Sequence, residues 1–153
     1  MKVGIIIFSR TGNTLAVAEK IREACLSQGH TAVIERVTAE NEDPNATPVK
    51  LKSAPDPLAY DIVIFGAPAQ AFSLSPIMKA YLAQVPALGG RKVYAFATHH
   101  FPKAWLGGKQ ALGQMRSLCQ NKGAEIAETG IVSWSSKGRD AQISDITSRF
   151  NRI

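Results

Sequence analysis

The sequence predicts an α/β protein: a three-layer, doubly wound fold with a five-stranded parallel sheet between helices. Two observations favour this class. Five apolar runs suited to buried strands alternate with segments whose apolar residues recur at helical spacing. One of these runs, Asp61–Ala67, is nearly continuously apolar, which is typical of a strand covered on both faces. Ligands of such sheets bind beyond the carboxyl ends of the strands, so we look for a site in those loops.

The amino-terminal segments supply two strands and the helix between them. Val3–Phe8 predicts a strand, and Asn13–Gln28 predicts a helix with apolar residues on one side. Gly29 stands just beyond that helix, where a left-handed residue commonly ends it. Thr31–Val37 predicts the second strand.

The polar segment 39–60 predicts a long surface crossing. Its prolines exclude a regular helix, although Val49–Lys52 is suited to a short edge strand. The segment resembles a domain linker, but the residues before it are too few to close a core of their own. We therefore expect one domain over residues 1–153. The prolines are Pro44, Pro48, Pro55 and Pro57.

The remaining segments continue the alternation of strand and helix. Ser75–Leu82 predicts the start of a helix, with Pro76 at its first position, where the missing N–H costs nothing. The other predicted elements are the strand Asp61–Ala67, the strand Lys92–Thr98, the helix Gly107–Lys122, a strand within Glu125–Trp134 and the helix Arg139–Phe150.

Composition and cysteine usage predict a cytoplasmic protein without a membrane span. The hydrophobic content of 45% and charged content of 20% are ordinary, and no apolar run is long enough to cross a bilayer. The first residues show no pattern of a signal peptide. Cys25 and Cys119 lie far apart on predicted helices, so we expect two free thiols that are buried or half-buried.

The net charge of +6 favours anionic partners. Residues 1–50 carry six Lys/Arg and six Asp/Glu, whereas residues 51–153 carry twelve and six. The cations are scattered and form no basic run, so we expect no specific binding of nucleic acid.

The turn after the first strand has the character of a phosphate site. A strand, a short hydroxyl-rich turn and a helix start offer a phosphate several backbone N–H groups and the positive end of a helix dipole. The turn lacks the glycine spacing of a dinucleotide fingerprint and the lysine of a Walker loop. The alternative is a polar helix start capped by Thr11 or Asn13. The turn comprises Ser9, Arg10, Thr11, Gly12, Asn13 and Thr14.

A first strand that ends in Ser-Arg-Thr-Gly-Asn-Thr resembles the flavodoxin family, whose loop of this type holds the phosphate of FMN. The resemblance implies the strand order 2-1-3-4-5 and extends over nearly the whole chain. Flavodoxins that shuttle electrons are usually strongly acidic, and this basic chain departs from them.

The loop after the third predicted strand resembles the second flavin loop of the family. Pro68 is expected to stop the strand there. Gln70 occupies a place where many relatives carry an aromatic residue, so either Gln70 hydrogen-bonds the flavin edge or flavin affinity is weak. Phe72 either contacts the ring or packs under the next helix. The resemblance assigns to flavin binding Pro68, Ala69, Gln70, Ala71 and Phe72.

The loop after the fourth predicted strand resembles the third flavin loop of a subset of the family. Its Trp-x-Gly-Gly pattern leads into a helix, and its glycines let backbone N–H groups approach the flavin. Adjacent histidines on an extended chain point apart, which disfavours a metal site. One of them is placed to stabilise the negative charge of a reduced flavin. The assigned residues are Thr98, His99, His100, Phe101, Trp105, Gly107 and Gly108.

The resemblance implies an FMN-binding protein acting in electron transfer or oxidoreduction. It fits an electron carrier or a small FMN-dependent NAD(P)H or quinone reductase, and no residue is assigned as catalytic. The expected partners are an acidic redox protein or a small electron acceptor. The alternative is an interaction or regulatory module that keeps the fold but binds flavin weakly or not at all.

Overall fold

The computed structural model describes residues 1–100, 107–150 and 152–153. A short 3₁₀ helix occupies Pro57–Ala59. The strands and helices, in chain order, are β1 Lys2–Ile7, α1 Asn13–Ser27, β2 Thr31–Arg36, β3 Thr38–Ala39, β4 Leu51–Ser53, β5 Ile62–Gln70, β6 Ser73–Leu74, α2 Pro76–Gln84, β7 Lys92–His99, α3 Gly108–Asn121, β8 Glu125–Ser133 and α4 Arg139–Phe150.

Five parallel strands form the central sheet in the order β2-β1-β5-β7-β8. Among the long strands this is the order 2-1-3-4-5, so the predicted fold class is confirmed. The two-residue strand β6 adds an antiparallel pair at the carboxyl end of β5. The chain winds outward in opposite directions from β1 and β5, and their carboxyl ends form the switch point of the sheet.

Helices cover the sheet on both faces because successive side chains of each strand point to opposite sides. Ile5 and Ile7 of β1 pack with α1 and α4, in one buried cluster. Ile6 and Phe8 pack with α2 and α3, in the other. Within the described residues, every helix is too short or too polar to span a bilayer.

Two glycines let large rings sit directly on the sheet. A Cβ atom at Gly66 would lie 2.2 Å from the ring of Phe96, and one at Gly4 would lie 2.3 Å from the ring of Tyr60. Both distances are far below van der Waals contact, so these strand positions exclude any side chain.

The helix ends agree with the sequence except at the start of α1. Ser75 caps α2 by accepting from Met78 N–H at 3.2 Å, and Pro76 follows as expected. Gly29 lies beyond α1 in the left-handed region, with φ of 86°. The start of α1 is preceded by Gly12, with φ of 95°, and neither Thr11 nor Asn13 caps it; the Ser9 hydroxyl accepts from Leu15 N–H in its first turn. The alternative interpretation of this turn, a helix start capped by Thr11 or Asn13, is therefore wrong.

The crossing 39–60 differs from the predicted edge strand at Val49–Lys52. The short strand is β4, and it pairs with β3 in a separate antiparallel ribbon. Ala39 is buried with Tyr60 in the α2–α3 cluster, and Leu51 packs against them. This anchoring over the cluster holds the ribbon away from the edge of the main sheet.

Strand β5 continues past Pro68, contrary to the expected stop. Pro68 stays in register with Thr98 of β7, and its carbonyl accepts from Ser75 N–H at 3.1 Å. The N–H and C=O of a strand residue point to the same side, so the missing donor removes no bond to β7. The strand therefore reaches Gln70.

Both cysteines are free and fully buried, as predicted. Cys25 of α1 lies in one core cluster and Cys119 of α3 lies in the other.

Candidate functional site

The three loops identified in the sequence meet around one cavity at the carboxyl edge of the sheet. The cavity measures about 290 Å³ and lies at the switch point between β1 and β5, where open α/β sheets bind ligands. Its walls come from the ends of β5 and β7 and from the start of α1. The residues that line it are Arg10, Thr11, Asn13, Thr14, Pro68, Ala69, Gln70, Thr98, His99 and His100.

The first loop presents a row of backbone donors. Within the described residues, no hydrogen bond engages the N–H groups of residues 10–14. They sit at the positive end of the α1 dipole, and the left-handed Gly12 turns the chain into the helix. Free N–H groups at a helix start form an anion site.

Ser9 braces this loop rather than lining the cavity. Its hydroxyl accepts from Leu15 N–H at 3.1 Å, and its carbonyl accepts from the Arg36 guanidinium at 2.7 Å. The Thr14 hydroxyl lies 2.9 Å from the Thr98 hydroxyl, and both residues are buried. The loop is thus fixed to the neighbouring strands.

The second loop is a tight hairpin between β5 and β6. Ala71 and Phe72 both lie in the left-handed region, with φ of 50° and 60°, as a two-residue type I′ turn requires. Phe72 is 57% exposed, so the expected alternative that it packs under the next helix is wrong. Gln114 Oε1 of α3 secures the hairpin by accepting from Leu74 N–H at 2.7 Å and from the Ser73 hydroxyl at 2.9 Å.

Gln70 lines the cavity, and its side-chain carbonyl oxygen is buried. Its Oε1 atom has no hydrogen-bond partner among the residues that the structure describes. An acceptor buried without a donor costs free energy, about 1–3 kcal/mol for a neutral group. A ligand with an N–H or O–H group would supply the donor that this oxygen lacks.

His99 contributes a second buried polar atom. The residue is only 4% exposed, and its Nε2 lies 2.7 Å from the Ser133 hydroxyl. Its Nδ1 is buried and has no partner within the described parts of the chain. Burial lowers the pKa of His99 below its ordinary value, which favours a neutral imidazole at pH 7.

Comparisons with solved structures identify the architecture. The flavodoxin of Megasphaera elsdenii superposes with a TM-score of 0.71 at 19% identity, over 99% of each chain. A WrbA-like flavodoxin of Agrobacterium tumefaciens gives 0.74 at 15% identity, over 99% of this chain and 94% of that one. A Lactobacillus acidophilus flavoprotein in complex with FMN gives 0.65 at 18%, over 94% and 97%.

This chain has a flavodoxin-like fold. No protein-family model matches its sequence, and no curated protein sequence matches it.

The third loop of this flavodoxin-like chain is described at its two ends. His100 is exposed while His99 is buried, so the two histidines point apart as expected. Phe101 and Trp105 lie outside the described residues. No group of three or more His, Cys, Asp or Glu that could hold a metal occurs in the part of the chain that the structure describes.

The two glycines of this loop start α3 and make room for neighbours. Gly107 has a φ of 113°, and its N–H donates to Gln110 Oε1 at 3.1 Å. A Cβ atom at Gly107 would lie 2.9 Å from Phe72 Cα, and one at Gly108 would lie 2.9 Å from His99 Cδ2. Both glycines therefore allow the hairpin and the imidazole to approach α3.

Ser133 is the residue beside the site that the sequence prediction missed. It ends β8 in register with His99, and its N–H donates to Gln142 Oε1 of α4 at 2.7 Å. Its position at a strand end, next to the strand of His99, is the signal that could have found it. The adjacent Trp134 is half-buried against the α1–α4 cluster, and the Arg139 guanidinium lies 4.9 Å from its ring centroid.

Proposed function

We propose that this protein binds FMN and transfers electrons, with residues 1–153 as one domain. One observation carries the proposal: within the described residues, a row of backbone N–H groups without hydrogen-bond partners borders a cavity lined by Gln70 and His99, each of which has one buried polar atom without a partner. A ligand with a phosphate at one end and a flat polar ring at the other fits this arrangement. The solved structure that contains FMN has the same fold, which supports the choice of ligand.

We assign the phosphate of FMN to the first loop. The N–H groups of residues 10–14 and the α1 dipole bind an anion without a fixed positive charge. The Thr11 hydroxyl and the half-buried Asn13 side chain line the same wall. Arg10 is exposed at its edge, where its charge adds a favourable interaction with an anion.

We assign the flavin ring to the second and third loops. Gln70 Oε1 accepts a hydrogen bond from a ring N–H, and His99 offers Nδ1 without adding a formal charge at neutral pH. Pro68, Ala69 and Thr98 supply the remaining described walls. Bound FMN supplies one- and two-electron redox chemistry, and the protein supplies binding and orientation.

A flavin titration tests the proposal. Purified protein is titrated with FMN, riboflavin and FAD, and the quenching of flavin fluorescence gives each Kd. We expect tighter binding of FMN than of riboflavin, because only FMN carries the phosphate. Equal affinities would contradict the assigned loop, and no binding of any flavin would leave the interaction module as the better hypothesis.

An isosteric variant locates the phosphate. Asn13→Asp places a negative charge on the proposed phosphate wall, so we expect FMN affinity to fall about tenfold, equivalent to ~1.4 kcal/mol. Riboflavin affinity is expected to stay unchanged. Asn45→Asp makes the same chemical change on the exposed crossing and serves as the control. A similar loss for both ligands would show that residue 13 does not contact the phosphate.

A further inference from the structure

One helical layer of the protein carries positive charge alone. Residues 62–124 contain seven Lys/Arg and no Asp or Glu, and this stretch includes both α2 and α3. The two helices lie on the same face of the sheet. The cations of these helices and of the residue that ends α3 are Lys79, Lys109, Arg116 and Lys122.

The opposite layer is balanced and ion-paired. Helices α1 and α4 each carry two cations and two carboxylates. The ion pairs of the described residues all involve these two helices, as in Lys20–Glu23 and Arg149–Asp145. The cations of α2 and α3 have no carboxylate within 4.0 Å among the described residues, so none of them is held in an ion pair there.

A groove runs between α2 and α3 on this face. It measures about 780 Å³ and is bordered by Lys79 and Lys109. Its walls combine two glutamines, Gln110 and Gln114, with small side chains and a leucine that allow close approach of a second surface: Ala83, Gly113, Ser117 and Leu118. The Lys79 ammonium donates to the Ser73 hydroxyl at 3.0 Å, which holds one positive charge beside the β5–β6 hairpin.

The groove is linked to the proposed flavin site through the β5–β6 hairpin. Both helices begin at the carboxyl edge of the sheet, and their dipoles place further positive potential there. Gln114, which lines the groove, also holds the hairpin that carries Gln70 and the exposed Phe72. A partner seated in the groove would therefore lie beside the residue that holds this hairpin in place.

We propose that the α2–α3 face docks a small acidic electron-carrier protein. The proposal rests on the proposed function: the reduced carrier loses one electron, the FMN-loaded protein gains it, and no bond is made or broken. Complementary charge steers such encounters and suits transient complexes. Nucleic acid is less well matched, because the cations border an apolar groove and form no cluster along one helix.

Binding to a defined acidic carrier tests the proposal. The probe is an oxidised plant-type [2Fe–2S] ferredoxin, and calorimetry gives its Kd with FMN-free and FMN-loaded protein at several salt concentrations. We expect Lys79→Glu with Lys109→Glu to weaken binding at least tenfold at low salt. Lys20→Glu with Lys50→Glu changes the net charge equally on exposed positions away from the groove and is expected to weaken binding less than threefold.

The outcomes separate the docking face from the flavin site. Lys109→Glu alone replaces an exposed side chain, so it keeps the test valid if the double variant folds poorly. Equal losses for both double variants, or no loss for either, would overturn the docking face even when FMN binds. So would selective binding of duplex DNA or phosphatidylserine vesicles in place of ferredoxin. Docking by protein that binds no flavin would retain the face and reject the proposed function.

Discussion

At the scale of single residues, the unusual feature is that two residues lining one cavity each bury a polar atom that has no partner among the described residues. Gln70 Oε1 and His99 Nδ1 each forgo a hydrogen bond within the described chain. Such atoms destabilise the ligand-free protein, and a ligand that pairs with them recovers that free energy as affinity. The same side chains should therefore have opposite effects on folding and on binding.

Gln70→Leu tests whether this side chain lowers the stability of the FMN-free protein while it raises FMN affinity. It removes the unpaired carbonyl, so we expect the free energy of unfolding of FMN-free protein to rise by about 1 kcal/mol. We expect FMN affinity to fall about fivefold, because one hydrogen bond of ~1 kcal/mol is lost. Urea unfolding and flavin titration measure the two effects. Gln120→Leu, on an exposed position of α3, is the control, and destabilisation by Gln70→Leu would contradict the argument.

His99 makes the stability of FMN-free protein depend on pH. Burial lowers its pKa in the folded state, so below pH 6.5 the unfolded chain binds more protons than the folded chain. The contribution of neutral His99 to the free energy of unfolding is fully present above pH 6.5. It is lost as the pH falls towards the folded pKa, and the free energy of unfolding then falls by at most about 1.4 kcal/mol per pH unit. His99→Gln should flatten urea-unfolding stability between pH 7.5 and 5.5; an unchanged slope would refute this account.

Some residues next to the cavity could be predicted from the sequence, and others could not. Gln70 and His99 were assigned because their loops, which follow predicted strands, resemble two flavin loops of the flavodoxin family. Ser133 was missed because its contact with His99 depends on the pairing register of β7 and β8. Parallel strands β7 and β8 are joined through helix α3 rather than by a tight turn, so no local turn signal sets this register.

At the scale of strands and helices, local patterns fixed most bounds to within two residues. The final helix Arg139–Phe150 agrees at both ends with its prediction. The errors lie where long-range pairing overrides a local signal. Pro68 remains in β5 because β7 and Ser75 hold it, and β4 leaves the main sheet because its partner β3 is anchored over the core.

Two glycine-to-alanine changes separate packing from helix propensity. Gly66→Ala drives a methyl group into the buried ring of Phe96, so we expect a loss of about 1–3 kcal/mol in the free energy of unfolding. Gly113→Ala meets no atom within 4 Å on the exposed side of α3, so we expect a gain of about 1 kcal/mol. Urea midpoints with matched m-values measure both, and a neutral Gly66→Ala would contradict the close ring contact.

At the scale of the whole molecule, the alternation of strand and helix was enough to predict the layers and the edge where the loops meet. The separation of charge between the two helical layers was not predicted. It depends on which helices share a face, and only the assembled sheet shows that α2 and α3 lie together. The net charge of +6 is therefore unevenly distributed: the helices α1 and α4 are balanced in charge, whereas α2 and α3 carry cations alone.

FMN should stabilise the entire fold, since the site joins loops from three strands. At a free concentration of 100 times Kd, a ligand of the folded state adds about 2.7 kcal/mol. For a chain of this length we expect Tm to rise by about 5–10 °C. Thermal scans with FMN, and with riboflavin at the same concentration as a comparison, measure the effect. An unchanged Tm with saturating FMN would contradict binding to the folded state.

The two buried thiols make this protein convenient for site-directed spectroscopy. Cys25 and Cys119 are fully buried, and burial raises the pKa of both, that of Cys119 to about 12. Maleimides attack the thiolate, so the native cysteines of the folded protein should react slowly. A cysteine introduced at the exposed Ser117 would then take a fluorophore or spin label selectively, without removal of either native thiol.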